Sequence, residues 1–491
     1  MRLYAISVLI GMLAVSLWAE PTVSLERVFG GNGQDLSSGM AVDAEGNAIF
    51  AGHSKSFKDT TYADMVVMKM NSAGNLLWAV NYGSPGAEST RNYIDGEYGG
   101  PSRTLALGAD GSVYVAARTD FGGKTEPFGA LIFKLSPTGQ LVWSKMWKVH
   151  NKNQMNGAAQ ASALTVVGGT VFVTGMTGGG QTSEEGMIWV GAFNAEDGAM
   201  KDVLALDPSV GSNDRAFSIV ATPKGDAVYL GGWNGRTGRG QLLKLAYAQD
   251  KFNLLWVKEV PLESRGSTVC DIDLDDKGNL YLAGDIHGAS NWMEVLKVSG
   301  EGEYLWGRRY NYGVKNDKNN TRFVRVLGGK LVVGGKVAYG GTNTDADTFF
   351  GDGSLLVLDL DGKLLLERYY FTGTQQSVLA QETIIGAALS GGKLVLGGWI
   401  HPYIANYAGQ WRDPSAYKTV QHPFTDAGAY AMADIAGVKT YNLTTSPTRD
   451  GSAIGLTFTD IGAQVKVGPA AEMSNQAAST QFAMFVMEGV F

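Results

Sequence analysis

An all-β fold built from one repeating unit is the class this sequence predicts, on three observations. Glycine-containing turns recur along the chain, short apolar runs of strand length follow them, and beyond the first twenty residues no apolar run is long enough for a core helix. The unit is plainest in residues 43–83. There the turn Asp43 to Asn47 opens the run Ala48 to Ala51, a polar loop leads to Met65 to Met70, and the turn Asn71 to Asn75 opens a third run that carries Trp78. Such units cannot bury their apolar faces alone. Stacked in a closed ring, a β-propeller, they bury a continuous core and leave no open sheet edge.

Length and composition agree. A chain of 491 residues would by length alone be several domains, but the repeat runs from end to end and argues for one. The 67 Gly against 13 Pro, with Val, Leu, Thr and aromatic residues filling the runs, favour strands and tight turns over disorder. The net charge of -7 is spread without long runs of one sign. It supplies no basic face for phosphate, which excludes nucleic acid as a partner.

With the strands of a unit lettered A to D from the axis outward, the A–B turns read DAEGN at 43, GADGS at 108, VGGT at 167, TPKGD at 222, DDKGN at 275, LGGK at 327, SGGK at 390 and TDIGA at 459. Gly recurs in them because a tight hairpin turn needs a positive φ, which Gly adopts at no steric cost. Eight turns imply eight four-stranded blades. A ring of seven is the alternative, and it follows if residues 447–481 are an insertion within the last blade. The B strands that follow the turns, such as NLYLAGD and KLVLGGW, are apolar on both faces, as sheets stacked between neighbours must be.

The C strands run from MVVMKM at 65 through MEVLKV at 293 and SLLVLDL at 354 to AYAMADI at 429 and FAMFVMEGV at 482. The D strands carry an aromatic residue four positions after the turn Gly: Trp78 after Gly74, Trp143 after Gly139, Trp306 after Gly302 and Tyr441 after Gly437. Trp256 holds the place after a turn without Gly, and Leu366 replaces the aromatic after Gly362. So regular a recurrence points to packing between blades rather than to a cofactor. The last C strand has no D strand after it. VSLERVFGG (23–31) matches LLWAVNYG in pattern, so the ring is expected to close by pairing of the N- and C-terminal strands.

The first residues, MRLYAISVLIGMLAVSLWAE, have an early cation, an apolar stretch and Ala19 before Glu20-Pro21, which marks 1–19 as a signal peptide and 22–491 as the mature propeller domain. The protein is therefore expected outside the cytoplasm, periplasmic, secreted or at the cell surface. No transmembrane segment is expected after cleavage, and a monomer is expected. One cysteine, Cys270, allows no disulfide within the chain, and its apolar strand makes it a buried, inert thiol.

DDKGNLYLAG (275–284) with GEYLW (302–306) resembles the units of the bacterial β-propeller repeat proteins of the seven-bladed repeat type, which pair a D-x-x-G-N-x-Y-x-x-G core with a later G-x-x-x-W. The resemblance covers essentially all of the mature chain. More distantly, the Trp-containing turn resembles the repeats of pyrroloquinoline-quinone enzymes and of an eight-bladed outer-membrane assembly scaffold. It implies an exported or surface-associated propeller and no single activity. Many of the quinone enzymes use an adjacent cysteine pair, which this chain does not have.

The A–B and C–D turns are short, whereas the D–A and B–C connections are long and divergent, and the two sets emerge on opposite faces. Binding groups are expected on the long-loop face. The most distinctive segment is the insertion 399–428, assigned to that face, which holds Trp399, His401, Tyr403, Tyr407 and Trp411 beside Arg412, Asp413 and Lys418. Flat rings beside hydrogen-bonding groups suit a glycan or a peptide. The same rings would also serve as a small core of the loop. Arg103, Arg215, Arg265 and Arg322 gather where strand A begins and would suit an anion, with local pairing to Asp214, Glu263 and Asp317 as the alternative. Asp345, Asp347 and Asp352 form an acidic loop that would accept a structural calcium ion, although it lacks the terminal Glu of a complete motif. No other cofactor is expected.

The reading is an exported, non-catalytic propeller that binds a glycan or protein partner with its long-loop face. The alternative is an enzyme, a polysaccharide lyase or hydrolase or a quinoprotein-like oxidoreductase, with its site at the top of the central channel. No G-x-S-x-G, H-E-x-x-H or phosphate-cradling loop is present to favour it.

Overall fold

A computed structural model describes residues 22–31, 33, 35–57, 63–83, 87–89, 103–119, 129–147, 149–150, 159–177, 186–260, 267–286, 292–311, 320–338, 351–372, 381–401, 409–412, 420–423, 432–442, 444–445, 449–450, 457–468 and 483–490. The signal peptide expected at 1–19 lies outside them.

Seven four-stranded antiparallel blades form the ring, which corrects the expected eight in favour of the alternative. Strands A to D are Asp35–Val42, Ala48–Ser54, Asp64–Met70 and Leu76–Gly83 in blade 1, and Leu105–Leu107, Val113–Thr119, Gly129–Leu135 and Leu141–Trp147 in blade 2. Blade 3 comprises Ala159–Val167, Thr170–Thr177, Met187–Asn194 and Met200–Asp207. Blade 4 comprises Arg215–Ala221, Ala227–Asn234, Arg239–Ala248 and Lys251–Glu259. Blade 5 comprises Ser267–Leu274, Leu280–Ile286, Trp292–Val298 and Tyr304–Asn311. Blade 6 comprises Asn320–Leu327, Lys330–Ala338, Gly351–Asp359 and Leu364–Thr372. In blade 7, strands A and B are Gln381–Ser390 and Lys393–His401, strand C is Ala483–Val490, and strand D is Thr22–Gly30. The N-terminal strand pairs antiparallel with the C-terminal one, from Thr22 beside Val490 to Phe29 beside Met484.

The eighth unit dissolves because its strands belong elsewhere. Strand-like segments between 402 and 482 add a fifth, outermost strand to blade after blade. Gly409–Arg412 pairs with strand D of blade 6, Val420–Pro423 with blade 5, Ala433–Asp434 with blade 4 and Lys439–Asn442 with blade 3. Thr444–Thr445 pairs with Val149–His150, just past blade 2, and Arg449–Asp450 with strand D of blade 2. Thr457–Asp460 then pairs with blade 1 and Lys466–Gly468 with blade 7. Segments such as AYAMADI and TDIGA carry a strand pattern, but a pattern of period two does not say which sheet a strand joins.

Every strand D carries a one-residue bulge, at Ser24, Leu77, Val142, Lys201, Leu255, Leu305 and Leu365. Strand A is bulged in six blades, at Ser38, Ser162, Phe217, Cys270, Arg322 and Ile385. The B–C pairs between them run without a shift. Bulges at the strands on either side of the regular B–C pair add local twist.

The recurrent Trp fastens four of the blades to the next, and in three of them its indole donates to a carbonyl there. The Trp78 indole donates to the Pro137 carbonyl at 3.1 Å, and Gly139 of the same turn is so close that a Cβ there would come within 2.7 Å of the ring. In blade 2, Tyr114, Lys134 and Trp143 all donate to the Ala195 carbonyl of blade 3, at 3.0, 3.1 and 3.3 Å. Lys297 and Trp306 of blade 5 repeat this on the Leu360 carbonyl of blade 6, at 3.0 and 3.2 Å. Leu366 stands where blade 6 would carry its Trp. The neighbour it faces, blade 7, joins strands from opposite ends of the chain and offers no C–D turn to grip.

Candidate functional site

Two places converge side chains from several blades: the axis, and the end of the ring where strand A begins and strand B ends.

At the axis, Arg103 ahead of strand A in blade 2 reaches across to blade 5. Its Nε donates to Asp271 at 2.8 Å, and a terminal nitrogen lies 2.9 Å from Asp273. Asp271 also accepts from Ser218 at 2.7 Å, from the Val324 amide at 3.0 Å and from Arg325. Burial alone would raise the pKa of Asp271, but the Arg103 and Arg325 guanidinium groups outweigh it and hold the carboxyl below its ordinary value. Arg103 is raised in turn: burial opposes its charge, and Asp271 and Asp273 more than compensate. Two cations and two carboxylates thus neutralise one another within the channel.

At the long-loop end, one position is occupied in turn by His53, Arg118, Met176, Trp233, Asp285, Lys336 and Trp399, one or two residues before strand B ends and the blade opens into its B–C connection. The residue before it is small for a backbone reason. A Cβ on Gly52, Gly175, Gly232, Gly284 or Gly335 would run into the carbonyl of Leu36, Gln160, Arg215, Thr268 or Asn320 on the bulged strand A. The repeat fixes the Gly and leaves the next position free to vary. Its chemistry changes from blade to blade, whereas at the other end the same Trp–Gly contact recurs from blades 1, 2, 4 and 5, at Gly139, Gly198, Gly302 and Gly362. Sequence reasoning missed this ring, whose signal was the residue following the Gly of Y-x-x-G.

Trp233 and Trp399 are half-buried, and the other five are buried. The buried Arg215 guanidinium lies over one face of the half-buried Trp233 ring at 5.4 Å, a cation–π contact. Asp285 is fully buried and pushed up to about 6, chiefly by desolvation, while it accepts from the Thr321 amide, from Asn320 at 3.4 Å and from the Cys270 thiol at 3.7 Å. Burial and then the Asp285 charge raise the Cys270 pKa well above its ordinary value, so the thiol stays protonated and inert.

Two further carboxylates tie the connections of this face together. Asp35 accepts from the Gly31 amide at 2.8 Å, from Ser54 and from Ser56 at 2.8 Å. Asp214 accepts from the Ser209 amide and hydroxyl at 3.0 and 2.7 Å and from the Gly235 amide at 3.1 Å. Each links the connection arriving from the preceding blade to the B–C connection of its own. Desolvation drives both up to about 6 against these hydrogen bonds.

The expected site residues are dispersed. Trp399 and His401 end strand B of blade 7, the second strand from the axis. The backbone of Trp411 and Arg412 pairs with Tyr370 and Tyr369 in the fifth, outermost layer of blade 6. Arg215 begins strand A of blade 4, Arg322 is the bulge residue of blade 6, and Arg103 bonds to carboxylates 168 and 170 residues away rather than to near neighbours in sequence. Asp214 is occupied by Ser209 and Gly235. Asp352 is buried in strand C of blade 6, its backbone opposite Val337. Tyr403, Tyr407, Asp345 and Asp347 lie outside the described residues. Among the described residues no three His, Cys, Asp or Glu side chains stand together as a metal site, and no helix is long and apolar enough to cross a membrane.

No family model and no curated protein matches the chain in sequence. Solved structures resemble it in shape. The quinohemoprotein alcohol dehydrogenase ADHIIG from Pseudomonas putida HK5 aligns with a TM-score of 0.42 at 12% identity over 86% of this chain and 76% of its own. A europium-containing methanol dehydrogenase aligns at 0.38 and 11% over 95% and 93%. Sqt1 from Chaetomium thermophilum aligns at 0.38 and 12% over 75% and 95%. At this level of likeness no activity, substrate or partner carries over.

Proposed function

We propose that this protein is an exported, non-catalytic β-propeller that recognises a glycan or a protein partner with its long-loop face. The observation that carries the reading is the contrast between the two ends of each blade. At the tight-turn end the Tyr, Lys and Trp groups are turned inward onto carbonyls of the next blade, in the same way in several blades. At the other end the equivalent position varies through His, Arg, Met, Trp, Asp and Lys, and two half-buried Trp residues stand at it. Selection of a partner needs variation on a rigid scaffold, and variation is concentrated at that end. The central channel, where an enzyme of this fold would place its site, is crossed by Arg103, Asp271, Asp273 and Arg325, which bond to one another.

The choice between glycan and protein rests on the chemistry around Trp233 and Trp399. Trp233 with Arg215, and Trp399 beside the end of strand B, suit an extended ligand with flat apolar faces and hydrogen-bonding rims. Glycan-array binding, with affinity capture followed by direct titration for a protein partner, tests the proposal. A partner whose binding is indifferent to every substitution on the long-loop face overturns it.

A further inference from the structure

The segment between strands B and C of blade 7 visits the outer edges of blades 6, 5, 4, 3, 2, 1 and 7 in that order, against the direction in which the chain built the ring. It then returns to the blade it left, as strand C at Ala483–Val490. We propose that this segment is a strap that sets the rate at which the ring opens, in addition to the pairing between the N- and C-terminal strands.

The order of assembly carries the argument. A belt strand pairs only with a strand D that already exists, and its partners are distant in sequence: Trp411 faces Tyr370, but Asp450 faces Lys145 and Thr457 faces Gly83. Loop closure over such separations is made late, after the blades have formed. Interactions absent from the folding transition state act almost wholly on the unfolding rate. The belt is also continuous with the closing blade. It leaves through strand B of blade 7 and re-enters beside strand D of the same blade, at Lys466–Gly468 opposite Gly30 to Val28. The stretch 432–442 is held by blades 4 and 3 and the stretch 457–468 by blades 1 and 7, so splaying either pair of blades pulls on one continuous piece of chain.

Two contacts show that the belt grips beyond its short ladders. The Ile435 amide donates to the Val257 carbonyl at 2.9 Å, and the Ile461 amide to the Ala79 carbonyl at 2.9 Å. Ile435 and Val438 pack on the core between blades 3 and 4, and Ile461 and Val465 join the core between blades 7 and 1. An exported protein commonly locks such a closure with disulfides. Cys270, the one cysteine, is buried in strand A of blade 5 and unavailable for that purpose. A circumferential strand gives kinetic protection by hydrogen bonds instead.

The test is a cut. A specific protease site inserted after Gly437, exposed and with open space around it, allows the folded protein to be severed within the strap. The expected result is a nicked particle of unchanged size under native conditions that unfolds in denaturant at least tenfold faster than the uncut insertion protein. Ile435→Pro, which deletes one strap hydrogen bond without a cut, is expected to speed unfolding severalfold and leave the folding limb of the chevron unmoved. An unchanged unfolding rate on cutting overturns the proposal. So does separation of the fragments under native conditions, or an Ile435→Pro effect that falls on the folding limb.

Discussion

Arg103 of blade 2 and Asp271 of blade 5 are joined across the central channel at 2.8 Å, with Asp271 fully buried. Breaking a buried pair by removing one partner leaves an uncompensated charge and costs about 3–5 kcal/mol. Asp271→Ala removes the carboxylate that holds Arg103, Arg325, Ser218 and the Val324 amide. It is expected to lower the free energy of unfolding by that amount in denaturant titration. A loss under 1 kcal/mol would show that the channel cluster is solvated.

Gly139→Ala tests the fastening between blades. Its φ of +82° disfavours any side chain, and the new Cβ would also meet the Trp78 ring. Gly329, at φ +74°, has open space around it. Left-handed strain alone costs about 1–2 kcal/mol, which is the expectation for Gly329→Ala. Gly139→Ala adds overpacking of about 1–3 kcal/mol. Thermal unfolding of the two variants side by side measures the difference.

Stability is expected to be greater at pH 5 than at pH 7.5. Asp35, Asp214 and Asp285 are pushed up to about 6 in the folded protein from an ordinary value of 3.8, burial being the first cause in each. A group raised by folding contributes stability that is present below its unfolded pKa and lost as the pH climbs through its folded pKa. The loss therefore falls between about pH 4 and 6. Asp271 runs the other way, and its contribution disappears only as the pH falls below the ordinary carboxylate range. Melting temperature against pH reads the slope, and Asp214→Asn is expected to flatten it.

Removing residues 22–31 deletes strand D of blade 7. It strips strand C, Ala483–Val490, of its outer partner and leaves Lys466–Gly468 with nothing to pair. The truncated protein is expected to aggregate or to melt well below the full chain, seen by light scattering and calorimetry.

The sequence carried the ring because its grammar is local. Seven of the A–B turns show the expected Gly in the left-handed region, among them Gly46, Gly225 and Gly278, and the match of VSLERVFGG to LLWAVNYG placed the N-terminal strand beside the C-terminal one. The missing aromatic at Leu366 was a further local sign, because the blade it faces has no turn to grip. The strap was not legible. Its strands are two to four residues long, their partners lie in every other blade, and apolar alternation looks the same in a fifth strand as in a second. The Arg103–Asp271 pair spans 168 residues, so no spacing rule finds it, whereas acidic residues near the arginines in sequence, such as Asp214, suggest local pairs. The divergent ring from His53 to Trp399 was readable, but only once a bulged strand A explained why a small residue precedes each member.

The most direct test of the central claim is partner binding measured with Trp233→Ala and Trp399→Ala at the long-loop end, against Leu305→Ala, an exposed residue at the tight-turn end. Binding lost in both Trp variants with the melting temperature kept, and retained in Leu305→Ala, is the predicted result. Binding that survives both Trp changes and fails in Leu305→Ala would contradict it and move recognition to the opposite face.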